Sequence, residues 1–214
     1  MQPRRMFGVF YFMRQEPTRL ILIRHAQTDA NLNKRYSGLL DTNLNRNGKS
    51  QARKLLRSLK TYKIDRVYAS NKSRTIETAK ILFENKEVRK IPDLREMHFG
   101  IFEGLTYKEI MARHGKIYKK WLKDPYSVKI PDGESLINFQ RRVVRAFREI
   151  VSLNRGKTVA VISHGGAISV FINYLRKSRK FWQKIPTCAS LSIVEYNKDK
   201  TQIRLFNDLK HLKA

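Results

Sequence analysis

Two aliphatic runs, "LILI" at Leu20–Ile23 and "VAVI" at Val159–Ile162, constrain this chain more than any other feature. Each leads within two residues to a histidine, His25 in the first case and His164 in the second. A strand with one wet face alternates apolar and polar residues, whereas a strand apolar at every position is covered on both faces. The chain therefore needs helices on two sides of a largely parallel sheet, and its remaining segments can supply them.

Strands are expected at Leu20–Ile23, Arg66–Ala69, Thr158–Ile162 and Ser190–Tyr196, with Gln202–Phe206 as a weaker edge strand. Between them, "NRNGKSQARKLLRSLK" offers Asn45 as a helix cap and Ala52, Leu55, Leu56 and Leu59 on one face. "SNKSRTIETAKILFE" gives a second helix with Ser70 near its start. Ser135 begins a third, with Leu136, Phe139, Val143, Phe147 and Ile150 at helical spacing and Asn154–Gly156 stopping it. A fourth follows His164, over 167–175. The fold class is α/β, a three-layer sandwich with a mostly parallel central sheet. A small helical insert over the site, about 106–131, is rich in basic and aromatic residues.

With 214 residues, 41% of them hydrophobic, the chain can bury one core. Residues 1–17 read as an N-terminal extension and 18–214 as a single domain. The apolar run Met6–Met13 is far shorter than the roughly 20 residues that span a bilayer, so no membrane span is expected. One cysteine, Cys188, excludes an internal disulfide, and no zinc-like spacing occurs; a reducing, cytoplasmic setting is expected. The formal charge of +27 fixes the sign of a partner and not its identity. Its lysines and arginines are spread along the chain, which fits a generally basic surface, and nucleic acid is not expected as the partner.

In an open parallel sheet, functional groups collect beyond the carboxyl ends of the strands. If the two His-terminated strands are parallel neighbours, His25 and His164 share one crevice. Arg24 adjoins the first histidine, Arg74 follows the strand "DRVYAS", and Gly165 and Gly166 open a helix directly after the second histidine. Guanidinium groups and the amides of a small-residue helix N-terminus are phosphate ligands. A phosphate pocket with histidine but without carboxylate clusters for a metal points to covalent chemistry: imidazole attacks phosphorus, and arginines meet the charge. The leaving oxygen needs a proton, for which Glu96 in "DLREMHFGIFEGLT" is the candidate, with Asp93 and Glu103 as alternatives on composition.

At this point the chain resembles the histidine phosphatase superfamily, the phosphoglycerate-mutase-like fold, over nearly all of residues 18–207. The pieces that carry the resemblance, in order, are "LIRHAQTDAN", "RYSGLLDTNLNRNGKSQA", "VYASNKSRTIETA", "LREMHFGIFEGLTYKEI", "PDGESLINFQRRV" and "VISHGGAI". The resemblance implies that His25 is the phosphorylated nucleophile, Glu96 the proton donor, and Arg24, Arg74 and His164 the rest of the phosphate core. By motif position, Asn31, Ser37, Gly38 and the amide of Gly165 or Gly166 would add contacts to phosphate or substrate, with no metal and no cofactor. The chain departs from the family's usual Arg-His-Gly by carrying Ala26. That costs about 1 kcal/mol or more if the position needs a positive φ, and little if it needs only to be small.

Within the family the motifs look most like alpha-ribazole phosphatases, which act in cobalamin assembly. A broad-specificity sugar phosphate or nucleotide phosphatase, a phosphoprotein phosphatase and a phosphoglycerate mutase are the other options. Specificity is expected in the insert, where Tyr107, His114, Tyr118, Trp121 and Tyr126 either stack on a substrate ring or pack the insert onto the domain. His98 has no special claim as acid or base, and His211 is expected to be solvated. The rival class is a catalytically weak binding module using its basic surface, for example "RKSRKFWQK".

Overall fold

The computed structural model describes residues 16–197 and 200–213; most of the expected N-terminal extension lies outside them. Both aliphatic runs are strands. β1 (Thr18–Arg24) is followed by a one-turn α1 (Asp29–Leu32), α2 (Arg46–Leu59), β2 (Arg66–Ala69), α3 (Ser73–Leu82) and the short β3 (Val88–Lys90). Next come α4 (Tyr107–Lys123), α5 (Leu136–Leu153), β4 (Thr158–Ser163), α6 (Gly165–Leu175), β5 (Leu191–Tyr196), β6 (Thr201–Asp208) and a terminal α7 (Lys210–Lys213).

The strands form one sheet in the order β3-β2-β4-β1-β5-β6. β1 and β4 are parallel neighbours, with Arg24 opposite Ser163, so both histidines leave the sheet at the same edge. β2 and β3 extend the parallel part beyond β4, and β5 and β6 close the other side antiparallel. The sheet is thus mostly parallel, as expected, with two antiparallel strands at one side. β3 carries no apolar run and is largely exposed, which is why the sequence pattern does not announce it.

Alternation along the central strands explains their continuous hydrophobicity. Leu20, Leu22, Val159 and Val161 pack toward α4, α5 and α6, whereas Ile21, Ile23, Ala160 and Ile162 pack toward α2 and α3. These central-strand side chains are buried on both faces of the sheet, and this double burial contributes much of the hydrophobic stabilisation. The helix starts follow the expected chemistry: Asn45 Oδ1 accepts from the Gly48 amide at 2.8 Å, and Ser135 Oγ accepts from Asn138 at 3.3 Å. α3 starts at Ser73 without a side-chain cap, three residues past Ser70, whose hydroxyl is engaged elsewhere.

The insert is one helix, α4, kinked at His114. Trp121 and Tyr118 are buried in the main core, where Tyr36, Phe99 and Phe102 meet them edge-on or tilted. The Tyr36 and Tyr118 hydroxyls are hydrogen-bonded at 2.7 Å. Tyr107 rests on Tyr118, and Tyr126 lies under the Arg179 guanidinium. Of the two roles open to these rings, packing is the one the structure gives them. His211 also departs from expectation: only 8% exposed, it is buried where α7 packs against α2.

Candidate active site

The carboxyl ends of β1 and β4 place His25 and His164 with ring centroids 5.2 Å apart, edge to face. His25 Nδ1 lies 2.8 Å from the Ala26 carbonyl oxygen. A carbonyl can only accept, so Nδ1 carries the proton and Nε2 presents its lone pair. His164 has the opposite tautomer. Its Nδ1 accepts from Arg74 Nε at 3.3 Å, so Nε2–H donates to Ser70 Oγ at 2.9 Å. Burial holds both imidazoles well below the ordinary histidine range, and the positive charges of Arg74 and Arg24 push them further down. Both rings are neutral at neutral pH, and a neutral Nε2 is a nucleophile.

The histidine at the end of β1 opens into a pocket of about 220 Å³ lined by Arg24, Asn31, Ser37, Glu96, Gly165 and Gly166 and by Lys34, Arg35, Tyr36, Phe99, Phe181 and Ile185. Arg24 Nη1 donates to the Pro186 carbonyl at 2.5 Å, while its buried Nε has no hydrogen-bond partner among the described residues. Asn31 Oδ1 accepts from the Thr28 amide and hydroxyl in a capping box, leaving Nδ2 as the donor it brings to the pocket. Ser37 lines the same wall.

Glu96 reaches the pocket from the loop after β3. Its Oε1 accepts from the Met97 amide at 2.9 Å and its Oε2 from the Gly166 amide at 2.8 Å. Gly166 is required for this approach: a Cβ there would lie 2.3 Å from Glu96 Oε1. The alternatives for the proton donor are committed elsewhere. Asp93 pairs with Arg145 at 2.7 Å on the surface, and Glu103 accepts from the amides of Gly38, Leu39 and Phe99.

Two expected phosphate ligands take different partners. Arg74 is buried behind the histidines and spends its donors on His164 and on the carbonyls of Ser37, Gly38 and Leu40, so it supports the site from beneath instead of lining the pocket. Gly38 gives its amide to Glu103, and a Cβ there would lie 1.9 Å from the Met97 carbonyl oxygen. Its smallness joins two loops. Sequence spacing could not reveal either commitment, because the partners are set by loop packing.

The structure adds residues that sequence reasoning missed. Ser70, at the end of β2, receives the His164 hydrogen bond. Arg142, buried on α5, donates to the carbonyls of Asp93, Arg95 and Glu96 and forks onto Glu134. It thereby fixes the segment carrying Glu96. Both Glu134 and Arg142 fall within the quoted piece "PDGESLINFQRRV", and an arginine one helical face away from a core stripe was the available signal. Among the described residues, no three His, Cys, Asp or Glu side chains converge as a metal site.

Ala26 answers the question its sequence position raised. It does not have positive φ, and its methyl group is fully buried with Leu44, Ala52 and Ala189. Its amide donates to Thr78 Oγ1 at 3.1 Å while its carbonyl orients His25. The position needs a small residue and accepts alanine.

The histidine phosphatase superfamily (branch 1) model matches residues 20–209. The chain belongs to that superfamily. Phosphoglycerate mutase-like protein 4 of Arabidopsis thaliana is 32% identical over 198 residues, 90% of this chain and 86% of that protein. Phosphoserine phosphatase 1 of Hydrogenobacter thermophilus is 31% identical over 198 residues, 91% of this chain and 94% of that protein. The crystal structure of the alpha-ribazole phosphatase from Shigella flexneri superposes with a TM-score of 0.81 at 29% identity, covering 89% of this chain and 96% of that one. This histidine phosphatase is accordingly a phosphoric monoester hydrolase with the three-layer α/β fold of its superfamily. Among the described residues, no helix is long and apolar enough to cross a membrane.

Proposed function

We propose that the protein hydrolyses small phosphomonoesters without a metal, through a phosphohistidine on His25. The observation that carries this reading is the tautomer of His25, whose Nδ1–H is held by the Ala26 carbonyl, leaving Nε2 unprotonated on a ring that lines the pocket shared with Arg24 and Glu96. His25 Nε2 attacks phosphorus as the bond to the leaving oxygen breaks. Glu96, in its acid form, gives that oxygen its proton. Water then attacks the phosphohistidine, Glu96 takes the water's proton, and inorganic phosphate leaves with His25 restored. Arg24, Asn31 and the Gly165 amide hold the phosphoryl oxygens. The buried Arg74 charge stabilises them through the neutral His164 beside it.

Size and charge of the pocket favour a small substrate with a second anionic group. Lys34 and Arg35 are among the lining residues, Arg35 also pairing with Glu109 at 2.9 Å, and the ring-bearing helix α4 contributes nothing to the lining. A phosphorylated hydroxy acid or amino acid meets these demands. Alpha-ribazole 5'-phosphate is a second reading, supported by the likeness to the Shigella flexneri phosphatase and by the rings of Tyr36, Phe99 and Phe181 in the walls. The α4 rings no longer support it.

The test is phosphate release, with EDTA present, from phosphoserine, phosphoglycerates, ribazole phosphate, sugar phosphates and nucleotides, beside His25→Ala. Turnover that resists EDTA and vanishes in the variant is expected, with phosphoserine or phosphoglycerate preferred. A dependence on added metal would overturn the mechanism. A preference for ribazole phosphate would overturn the substrate assignment alone.

A further inference from the structure

The loop 185–190 crosses the carboxyl end of β1 and holds Arg24 and His25. Arg24 Nη1 donates to the Pro186 carbonyl at 2.5 Å, and the Arg24 amide donates to the Ser190 carbonyl at 3.3 Å. The Ala189 amide donates to the His25 carbonyl at 3.1 Å. Ile185, at the start of the loop, lines the pocket. Ala189 is fully buried with a φ of 57°, in the left-handed region. A residue other than glycine stays there only when its surroundings over-determine it, so contacts from outside the loop must fix its path.

Asn207 on β6 supplies such a contact. Its Oδ1 accepts from the Thr187 amide at 2.7 Å, and its own amide donates to Ser192 Oγ at 3.0 Å. A β-bulge puts it there. Leu191 pairs with Asp208 and Ile193 with Leu205, so β6 takes three residue steps where β5 takes two. Asn207 lies inside this interval with a φ of 56°. Bulges accept a left-handed residue, bend their strand and re-aim side chains beside active sites. Asparagine is among the few side chains that tolerate this φ, and it brings an acceptor that glycine lacks.

We propose that Asn207 is a positioning residue for the phosphate site. By clamping Thr187 it sets the neighbouring Pro186 carbonyl, and through that carbonyl the guanidinium plane of Arg24. The inference rests on the reading that Arg24 holds the phosphoryl oxygens. Pro186 takes one N–H of the guanidinium and so decides where the others are aimed, the Nε without a partner among the described residues included. The group is planar, and moving one donor tilts the whole fork. Asn207 is not among the residues lining the pocket, so it acts only through the loop.

The experiment measures the dissociation constant of inorganic phosphate by titration calorimetry, with kcat and KM beside it, in Asn207→Gly, Asn207→Asp, Arg24→Met and Asn207→Gly/Arg24→Met. Arg24→Met should raise the constant at least about tenfold, the worth of one charge-assisted hydrogen bond to an anion. Asn207→Gly should raise it about fivefold through misplacement of Arg24, with a urea midpoint at or above wild type because glycine is at ease at this φ. Asn207→Asp keeps an acceptor and tolerates the conformation, and should return the constant to within about twofold of wild type. The double variant should bind no more weakly than Arg24→Met alone, since residues acting through one another are not additive. Wild-type phosphate binding in Asn207→Gly, a defect that Asn207→Asp leaves unrepaired, or additive losses in the double variant would each overturn the positioning role. Binding that Arg24→Met leaves unchanged would overturn the reading of Arg24 itself, and the inference with it.

Discussion

Arg142 and Glu134 form a two-pronged ion pair, Nε to Oε1 and Nη2 to Oε2, both at 2.8 Å. The same guanidinium donates to the Glu96 carbonyl at 2.9 Å and to the carbonyls of Asp93 and Arg95. Planar guanidinium can serve a carboxylate and a cluster of carbonyls at once, which an ammonium cannot. The pair therefore fixes the backbone from which Glu96 reaches the pocket.

Arg142→Lys should lower kcat by roughly a hundredfold with a much smaller change in KM, because it displaces the proton donor rather than the binding groups. Arg142→Ala, which leaves Glu134 without this partner, should also cost about 3 kcal/mol of stability. Steady-state kinetics and denaturant unfolding check both, and a KM effect with unchanged kcat would count against the positioning role.

His25→Ala should lower turnover by at least about a thousandfold and abolish labelling of the enzyme by radioactive phosphate from substrate. In the wild type the label should be acid-labile and base-stable, as a phosphoramidate is. Rapid quench followed by alkaline electrophoresis reads it directly.

The neutral, buried histidines predict an unusual pH profile. The folded-state pKa of each is depressed, so the unfolded chain takes up protons first as pH falls. Their contribution to stability is present above the unfolded value near 6.5 and is lost progressively below it. Phosphoenzyme formation should persist below pH 6.5, where an ordinary histidine nucleophile would be protonated. Unfolding midpoints and single-turnover rates measured across pH 5 to 8 test both statements; the range is set by about 1.5 units either side of that value.

Ala26→Gly should leave turnover within about twofold and cost about 1 kcal/mol, since the backbone there is unstrained and the methyl group is packed. Ala26→Val should cost about 1–3 kcal/mol through overpacking against Leu44, Ala52 and Ala189. A large gain in activity for the glycine variant would show that alanine hampers His25.

Trp121→Ala should destabilise by about 3–5 kcal/mol and leave the order of substrate preference unchanged, because the ring is fully buried behind Tyr36 and Phe99. Urea unfolding and the substrate panel separate the two effects. A reordered preference with stability retained would restore α4 as a specificity element.

The sequence by itself determined the doubly covered strands, the two histidines at their ends, and the helix starts at Asn45 and Ser135. Each is written in a few consecutive residues, through hydrophobic periodicity or a side chain that caps its own helix. Tertiary structure alone decided how similar residues divide their work. Asp93, Glu96 and Glu103 stand within one short stretch, yet loop packing sends the first to Arg145, the second to the pocket and the third to the amides around Gly38. Arg74 is visible in the sequence as a basic residue after β2, but only the packed loops decide that its donors reach His164 and three carbonyls. Such choices depend on partners distant in sequence, because a buried polar group must find its hydrogen bonds wherever the fold brings an acceptor or donor within reach.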